Sequence, residues 1–153
     1  MKYESLLTQA KKDGIDIIEY KFKNENLKGL YIDNVITLNS YIKTNAEKAC
    51  VLAEELGHHY TSSGDILDQN NIINVRQEKL ARGWGYERLV PITSLLESFW
   101  AGIKNQHELA EYLEVTEEFL QKALNYYKDK HGSYYKIDNY IIMFDPLAVM
   151  EKF

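Results

Sequence analysis

The chain of 153 residues holds a single cysteine, Cys50. No intrachain disulfide can form, which fits a reducing compartment. The opening stretch, MKYESLLTQAKKDG, lacks a long apolar run. Neither a signal peptide nor a membrane span is therefore expected, and the expected location is cytoplasmic. An excess of positive charge is also missing. The formal net charge is -5, which argues against a chain that binds nucleic acid on its own. What is present is ordinary for a soluble globular protein, with 45% hydrophobic and 27% charged residues. The length suffices for one domain with a real core. Tyrosine is frequent, at 12 residues, and reads as half-buried surface and groove lining.

Residues 2–12 read as a short amphipathic helix ending near Gly14. Three runs rich in Ile, Val and Tyr follow, at 15–22, 27–32 and 35–41, with turn residues between them. Asp33-Asn34 suits a tight hairpin. A small, mainly antiparallel sheet is expected here. Thr44 and Glu47 form a capping box that opens a helix running to about Thr61 and stopping at Ser63-Gly64. That helix is apolar nearly all round and should be buried. Residues 65–73 read as a loop. A second helix runs from Asn74 to Leu89 and stops at Pro91, with Glu78, Ala81 and Gly85 on one face. Ser94 and Glu97 read as a second capping box that opens a third helix. Asn105 opens a fourth and Thr116 a fifth, which ends at Gly132. The tail reads as a hairpin of 134–137 and 140–144 around Asp138-Asn139.

The informative stretch is Glu54-Glu55-Leu56-Gly57-His58-His59. It is the zinc-protease helix motif H-E-x-x-H with its first His replaced by Glu. Residues four apart share a helix face, so Glu54 and His58 point the same way with Glu55 beside them. Back-to-back carboxylates on a buried helix are costly unless compensated, and a dication would compensate both. A catalytic zinc takes three protein ligands and a water. Glu54 and His58 supply two ligands, Glu78 is the best third, and Glu55 is the candidate general base. A buried helix with polar residues four apart gives the same spacing by accident, and spacing does not separate the two.

Two blocks together resemble the ImmA/IrrE family of metallopeptidases from bacteria and their mobile elements. The first is Glu54-Glu55-Leu56-Gly57-His58-His59, against the family's H-E-L-G-H-H. The second is Glu78-Lys79-Leu80-Ala81-Arg82-Gly83-Trp84 with Leu89-Val90-Pro91 behind it, against E-x-x-A, an aromatic three residues on, and Leu-x-Pro. The resemblance extends loosely to 29–32 and 35–38. It implies Glu55 as general base, with His58 and Glu78 as metal ligands. Glu54 stands where the family has its first histidine ligand. A Glu-His-Glu set can hold Zn2+, and its harder, more anionic character also suits Mn2+ or Fe2+. The implied fold is α+β, a minimal zincin-like domain spanning 1–153. Residues 1–64 carry a helix, the sheet and the motif helix. Residues 65–131 carry the glutamate helix and a helical subdomain, and 132–153 the hairpin tail. In such a fold an edge strand beside the cleft can bind an extended peptide, and 35–41 is the expected edge.

Other features have simpler readings. His59 is rotated about 100° from His58 around the helix, so packing or support is expected rather than ligation. Gly57 costs about 1 kcal/mol inside a helix, which a close backbone approach would explain. Asp65 and Asp68 read as loop caps before spare ligands. His107-Glu108-Leu109-Ala110-Glu111 has the form H-E-x-x-E, but Asn105 and Glu108 already account for it as a cap. The run 108–119 resembles a helix-turn-helix, yet Glu117 and Glu118 would repel phosphate at its second helix. Cys50 reads as a small core residue. The resemblance implies a metal-dependent endopeptidase acting on a protein substrate, the cognate repressor of a phage or mobile element. The alternative is a catalytically degenerate relative that docks a regulator without cutting it. Direct nucleic-acid binding ranks below both.

Overall fold

The structure, a computed structural model, describes residues 1–61 and 71–152, without the side chains of 71–73. Its elements in chain order are α1 (Lys2–Lys12), β1 (Asp16–Tyr20), β2 (Gly29–Ile32), β3 (Val35–Asn39), α2 (Asn45–Thr61), α3 (Asn71–Leu89), α4 (Ile92–Trp100), α5 (Gln106–Leu113), α6 (Glu117–His131), β4 (Tyr134–Ile137), β5 (Tyr140–Phe144) and β6 (Leu147–Glu151). The fold is α+β, consistent with a small zincin-like domain. The chain forms two compact units, Met1–Gly85 and Tyr86–Phe153. The expected helix end at Ser63-Gly64, the 65–70 part of the expected loop, and Asp65 and Asp68 lie outside the described residues. Residues 71–73, also expected as loop, belong to α3.

In the first unit, Asp33 and Asn34 adopt φ of 49° and 63°. Two positive φ values in a row give the tight turn whose twist matches a hairpin. The turn joins β2 to β3, antiparallel, with Gly29 opposite Leu38 and Ile32 opposite Val35. β1 runs parallel to β3 on its other side, so the strand order is β1-β3-β2. This corrects the expectation that 35–41 is an open edge. β3 is central, and β1 and β2 are the edges. The reason is visible in its residues: Ile36, Leu38 and Asn39 are all buried. β3 also stops earlier than expected. The Asn39 amide donates to Leu27 O at 2.8 Å, and its Oδ1 accepts from Tyr41 N at 3.1 Å. That local bonding replaces a further ladder.

α2 starts where the capping box predicts, with Glu47 N donating to Thr44 Oγ1 at 3.2 Å. It buries Ala49, Cys50, Leu52, Ala53, Leu56 and Gly57. α1 packs on it through Leu6 and Ala10, both fully buried. α3 approaches α2 at small residues. A Cβ on Gly57 would collide with the carbonyl oxygen of Ala81, and a Cβ on Gly85 would stand 3.4 Å from the Ala53 carbonyl.

The second unit holds α4–α6 and the antiparallel sheet β4-β5-β6. Asn105 and Thr116 cap α5 and α6 as expected, accepting from Glu108 N and Phe119 N. Ser94 does not open α4. The helix begins at Ile92 behind Pro91, whose φ of -59° already suits a helix start. The Ser94 hydroxyl, one turn in, donates to Pro91 O at 2.5 Å. The expected hairpin is present, and β6 adds a third strand to it.

Candidate metal centre

Two helices of the first unit bring three donor residues together. Glu54 and His58 come from α2 and Glu78 from α3. One ligand atom from each lies within 4.8 Å of the others. His58 Nε2 lies 3.2 Å from Glu78 Oε1. Two donors on one tetrahedral ion, each bonded at 2.0–2.1 Å, sit about 3.3 Å apart, so this spacing suits a shared ion. His58 is the most enclosed of the three, with 14% of its side chain exposed. Its Nδ1 is buried and has no hydrogen-bond partner among the described residues.

The close approach at Gly57 makes this meeting possible. Gly57 precedes His58, and Ala81 lies one turn beyond Glu78, so bare backbone against bare backbone lets α3 carry its carboxylate to α2. The Tyr60 and Trp84 rings stack at 4.9 Å and tie the same helices together a turn further on.

Glu55 stands beside the cluster and is partly buried. Burial raises its pKa to about 8, and the Glu54 and Glu78 charges add to the shift. The strand β2 lies directly over it. A Cβ on Gly29 would stand 2.8 Å from Val51 Cγ1, 3.1 Å from Glu55 Cγ and 3.3 Å from Glu55 Oε1. Sequence reasoning missed Gly29. The signal was a glycine inside an apolar strand, where it weakens the ladder and marks a close approach. It also missed Arg82, whose Nε lies 3.3 Å from Glu54 Oε1 and whose Nη2 lies 3.8 Å from Glu78 Oε2. Its position four residues after Glu78 was the available clue.

The remaining candidates fall outside the cluster. His59 turns to the sheet, where its Nδ1 lies 2.7 Å from the Tyr31 hydroxyl and the two rings meet edge to face. Tyr31 also donates to Asn34 Oδ1 at 3.1 Å. Cys50 is buried in the core. His107 does not form a metal site with its H-E-x-x-E neighbours. Its Nε2 faces Glu111 at 3.1 Å and its Nδ1 faces Glu117, so the two carboxylates lie at different edges of the ring.

The donor chemistry fits a divalent cation. Imidazole and carboxylate are both zinc donors, and two carboxylates beside one imidazole make a harder set that also suits manganese or iron. A third acid, Glu55, is close by, and Arg82 is the cation seen against the two carboxylates.

Residues 10–125 match the family model of Peptidase_M78, the IrrE N-terminal-like domain. The chain belongs to this family. None of the curated proteins matches the chain significantly. The family is one of metal-dependent peptidases, and the matched region carries Glu54, Glu55, His58 and Glu78. It ends within α6, so β4–β6 lie beyond it. Among the described residues, no helix of this IrrE-like chain is long and apolar enough to cross a membrane.

Proposed function

We propose that this IrrE N-terminal-like protein is a metal-dependent endopeptidase. Glu54, His58 and Glu78 would hold the ion, and Glu55 would act as general base. The observation that carries the reading is the convergence of three donor atoms from α2 and α3 within 4.8 Å, on a chain of a metallopeptidase family. Zinc suits the set, and the two carboxylates leave room for Mn2+ or Fe2+. When bound, the ion supplies positive charge that acidifies a water and polarises the scissile carbonyl.

The chain's own residues do the rest. Glu55 takes a proton from the attacking water and gives it to the departing amine nitrogen. It must be a carboxylate to do so, and a cation beside the three acids favours that form. β2 runs over Glu55 and is an edge strand of its sheet among the described residues, so it can align an extended peptide by strand addition. The glycine at its start leaves the backbone near the carboxyl unobstructed.

The substrate proposed is the repressor of a phage or mobile element, cut in the cytoplasm. Direct contact with nucleic acid or membrane plays no part. The test incubates purified, metal-loaded protein with the repressor encoded beside its gene. Cleavage by the parent is expected. Glu55→Gln should keep about one equivalent of metal and lose cleavage, and His58→Ala should lose both. An intact repressor with a metal-loaded parent would remove the peptidase reading.

A second reading is favoured by Glu54 itself, a carboxylate at the first ligand position paired with Arg82. Under that reading the protein binds its regulator without cutting it. Glu54→His restores the full motif. Activity appearing only in that variant would identify the parent as a docking protein.

A further inference from the structure

We infer that Arg82 is a positioning residue for this centre, coupled above all to Glu54. The inference rests on the proposal that Glu54, His58 and Glu78 hold a metal. Arg82 stands on α3 one turn after Glu78, and its single guanidinium reaches both carboxylates. Nε faces Glu54 Oε1 at 3.3 Å, and Nη2 faces Glu78 Oε2 at 3.8 Å.

The two oxygens of Glu78 are divided. Oε1 faces His58 Nε2, and Oε2 faces Arg82. One oxygen therefore points toward the donor cluster and the other toward the guanidinium, the latter at ion-pair rather than hydrogen-bond distance. Glu54 has the same need in stronger form. A carboxylate at the first motif position can rotate about its terminal bond and swing on a flexible stem. Holding one of its oxygens fixes where the other points. A planar guanidinium does this with a directed N–H to Glu54 while its charge also faces Glu78, which a point charge cannot.

Stability does not account for the arrangement. The Arg82, Glu54 and Glu78 side chains are 54%, 38% and 44% exposed, and ion pairs at such positions contribute little. Groups that orient a metal ligand from behind commonly change affinity by about 10–100-fold. Arg82 thus supports a glutamate where the motif otherwise carries histidine.

The test measures Zn2+ affinity of the full chain by competition with a fluorescent chelator. Arg82→Gln should weaken binding about tenfold. Arg82→Lys keeps the charge but loses the planar guanidinium, and should recover only a minor part of that loss. In a Glu54→His background, Arg82→Gln should cost no more than about threefold, a non-additivity that marks direct coupling. Thermal melts of the metal-free variants should stay with the parent, which separates lost positioning from lost fold. A purely electrostatic role predicts the opposite sign, since removing a positive charge beside two ligands strengthens cation binding. Unchanged or tighter binding by Arg82→Gln, with normal binding by the parent, overturns the Arg82 role alone. Equal losses in both backgrounds overturn its coupling to Glu54. A parent that binds no zinc overturns the ligand assignment first, and this inference with it.

Discussion

Gly57 of α2 meets Ala81 of α3 with no side chain between them. A Cβ added there would strike the Ala81 carbonyl oxygen and stand 2.8 Å from its carbon and 3.0 Å from its Cα. Alanine gains about 1 kcal/mol over glycine in helix propensity. Overpacking costs about 1–3 kcal/mol, and more where backbone must move. The obstacle here is backbone, so the clash wins. Gly57→Ala should lower unfolding free energy by about 2 kcal/mol and weaken metal binding, because Glu78 rides on the displaced helix. Gly85→Ala is the matched control. Its new Cβ makes ordinary contacts at 3.4–3.5 Å with Ala53, so the change should be neutral or stabilise by up to about 1 kcal/mol. Urea unfolding and chelator competition read both variants. Equal stability for the two would show that the helices are not held this closely.

Gly29→Ala tests the strand over Glu55. Its Cβ would press on Val51 and on the Glu55 side chain, neither of which is an assigned ligand. Metal content should stay near the parent value. Cleavage should fall by about 100-fold, the scale on which displacement of a reacting group by roughly an ångström is felt. Retained cleavage would argue that Glu55 does not need its present position.

The metal-free protein should show a pH-dependent cost at Glu55. Its pKa is raised by burial from 4.5 to about 8, so the folded chain keeps a proton that the unfolded chain releases. The stability this contributes is fully present below about pH 4.5 and is lost as pH rises to about 8. Glu55→Gln removes the ionisable group. Its unfolding free energy relative to the parent should therefore increase between pH 5 and pH 8, by about 2–4 kcal/mol for a shift of this size. Saturating zinc should shrink the difference. A gap that does not change with pH would contradict the buried-acid picture.

His107 gives a second pH signature, away from the candidate metal centre. Its pKa is raised, first by its hydrogen bond to Glu117 and then by the Glu111 and Glu117 charges. The charged ring links α5 to the start of α6. Because the folded pKa is raised, this contribution is present below the ordinary histidine pKa and disappears as pH climbs through the folded value. An NMR titration should find the His107 ring above the usual histidine range. Glu117→Gln should bring it back toward that range. An unshifted His107 in the parent would mean that the exposed pair is not formed in solution.

Much of the centre was legible because helices repeat. The i, i+4 spacing put Glu54 and His58 on one face, and the small residues Ala81 and Gly85 marked the side of α3 that approaches α2. The caps Thr44, Asn105 and Thr116 were readable because a hydroxyl or amide before a helix has few other uses. Strand order was not readable. All three runs are short and rich in Ile, Leu, Val or Tyr, and the acids Asp16 and Glu19 of β1 are a weak edge signal beside the pairing that makes β3 central. Ser94 misled because its spacing to Glu97 imitates a capping box, while Pro91 had already started the helix. β6 was missed because Leu147–Glu151 is short and near the end of the chain, and its pairing partner β5 already looked complete as half of a hairpin. Arg82 was overlooked because exposed arginines on helices are common, and only coordinates reveal that one lies across two carboxylates.

The two-residue turn at Asp33-Asn34 governs more than chain reversal. It fixes which residue of β2 faces Leu38 of β3, and that residue is the one over Glu55. Successive strand residues point to opposite faces, so a slip of one position exchanges them. Lengthening the loop by one residue would bring Lys28 or Leu30 to the spot Gly29 now holds. The headroom above the carboxyl is thus set by loop length several residues away, and a harmless-looking insertion there would silence the proposed chemistry without touching any residue assigned to it.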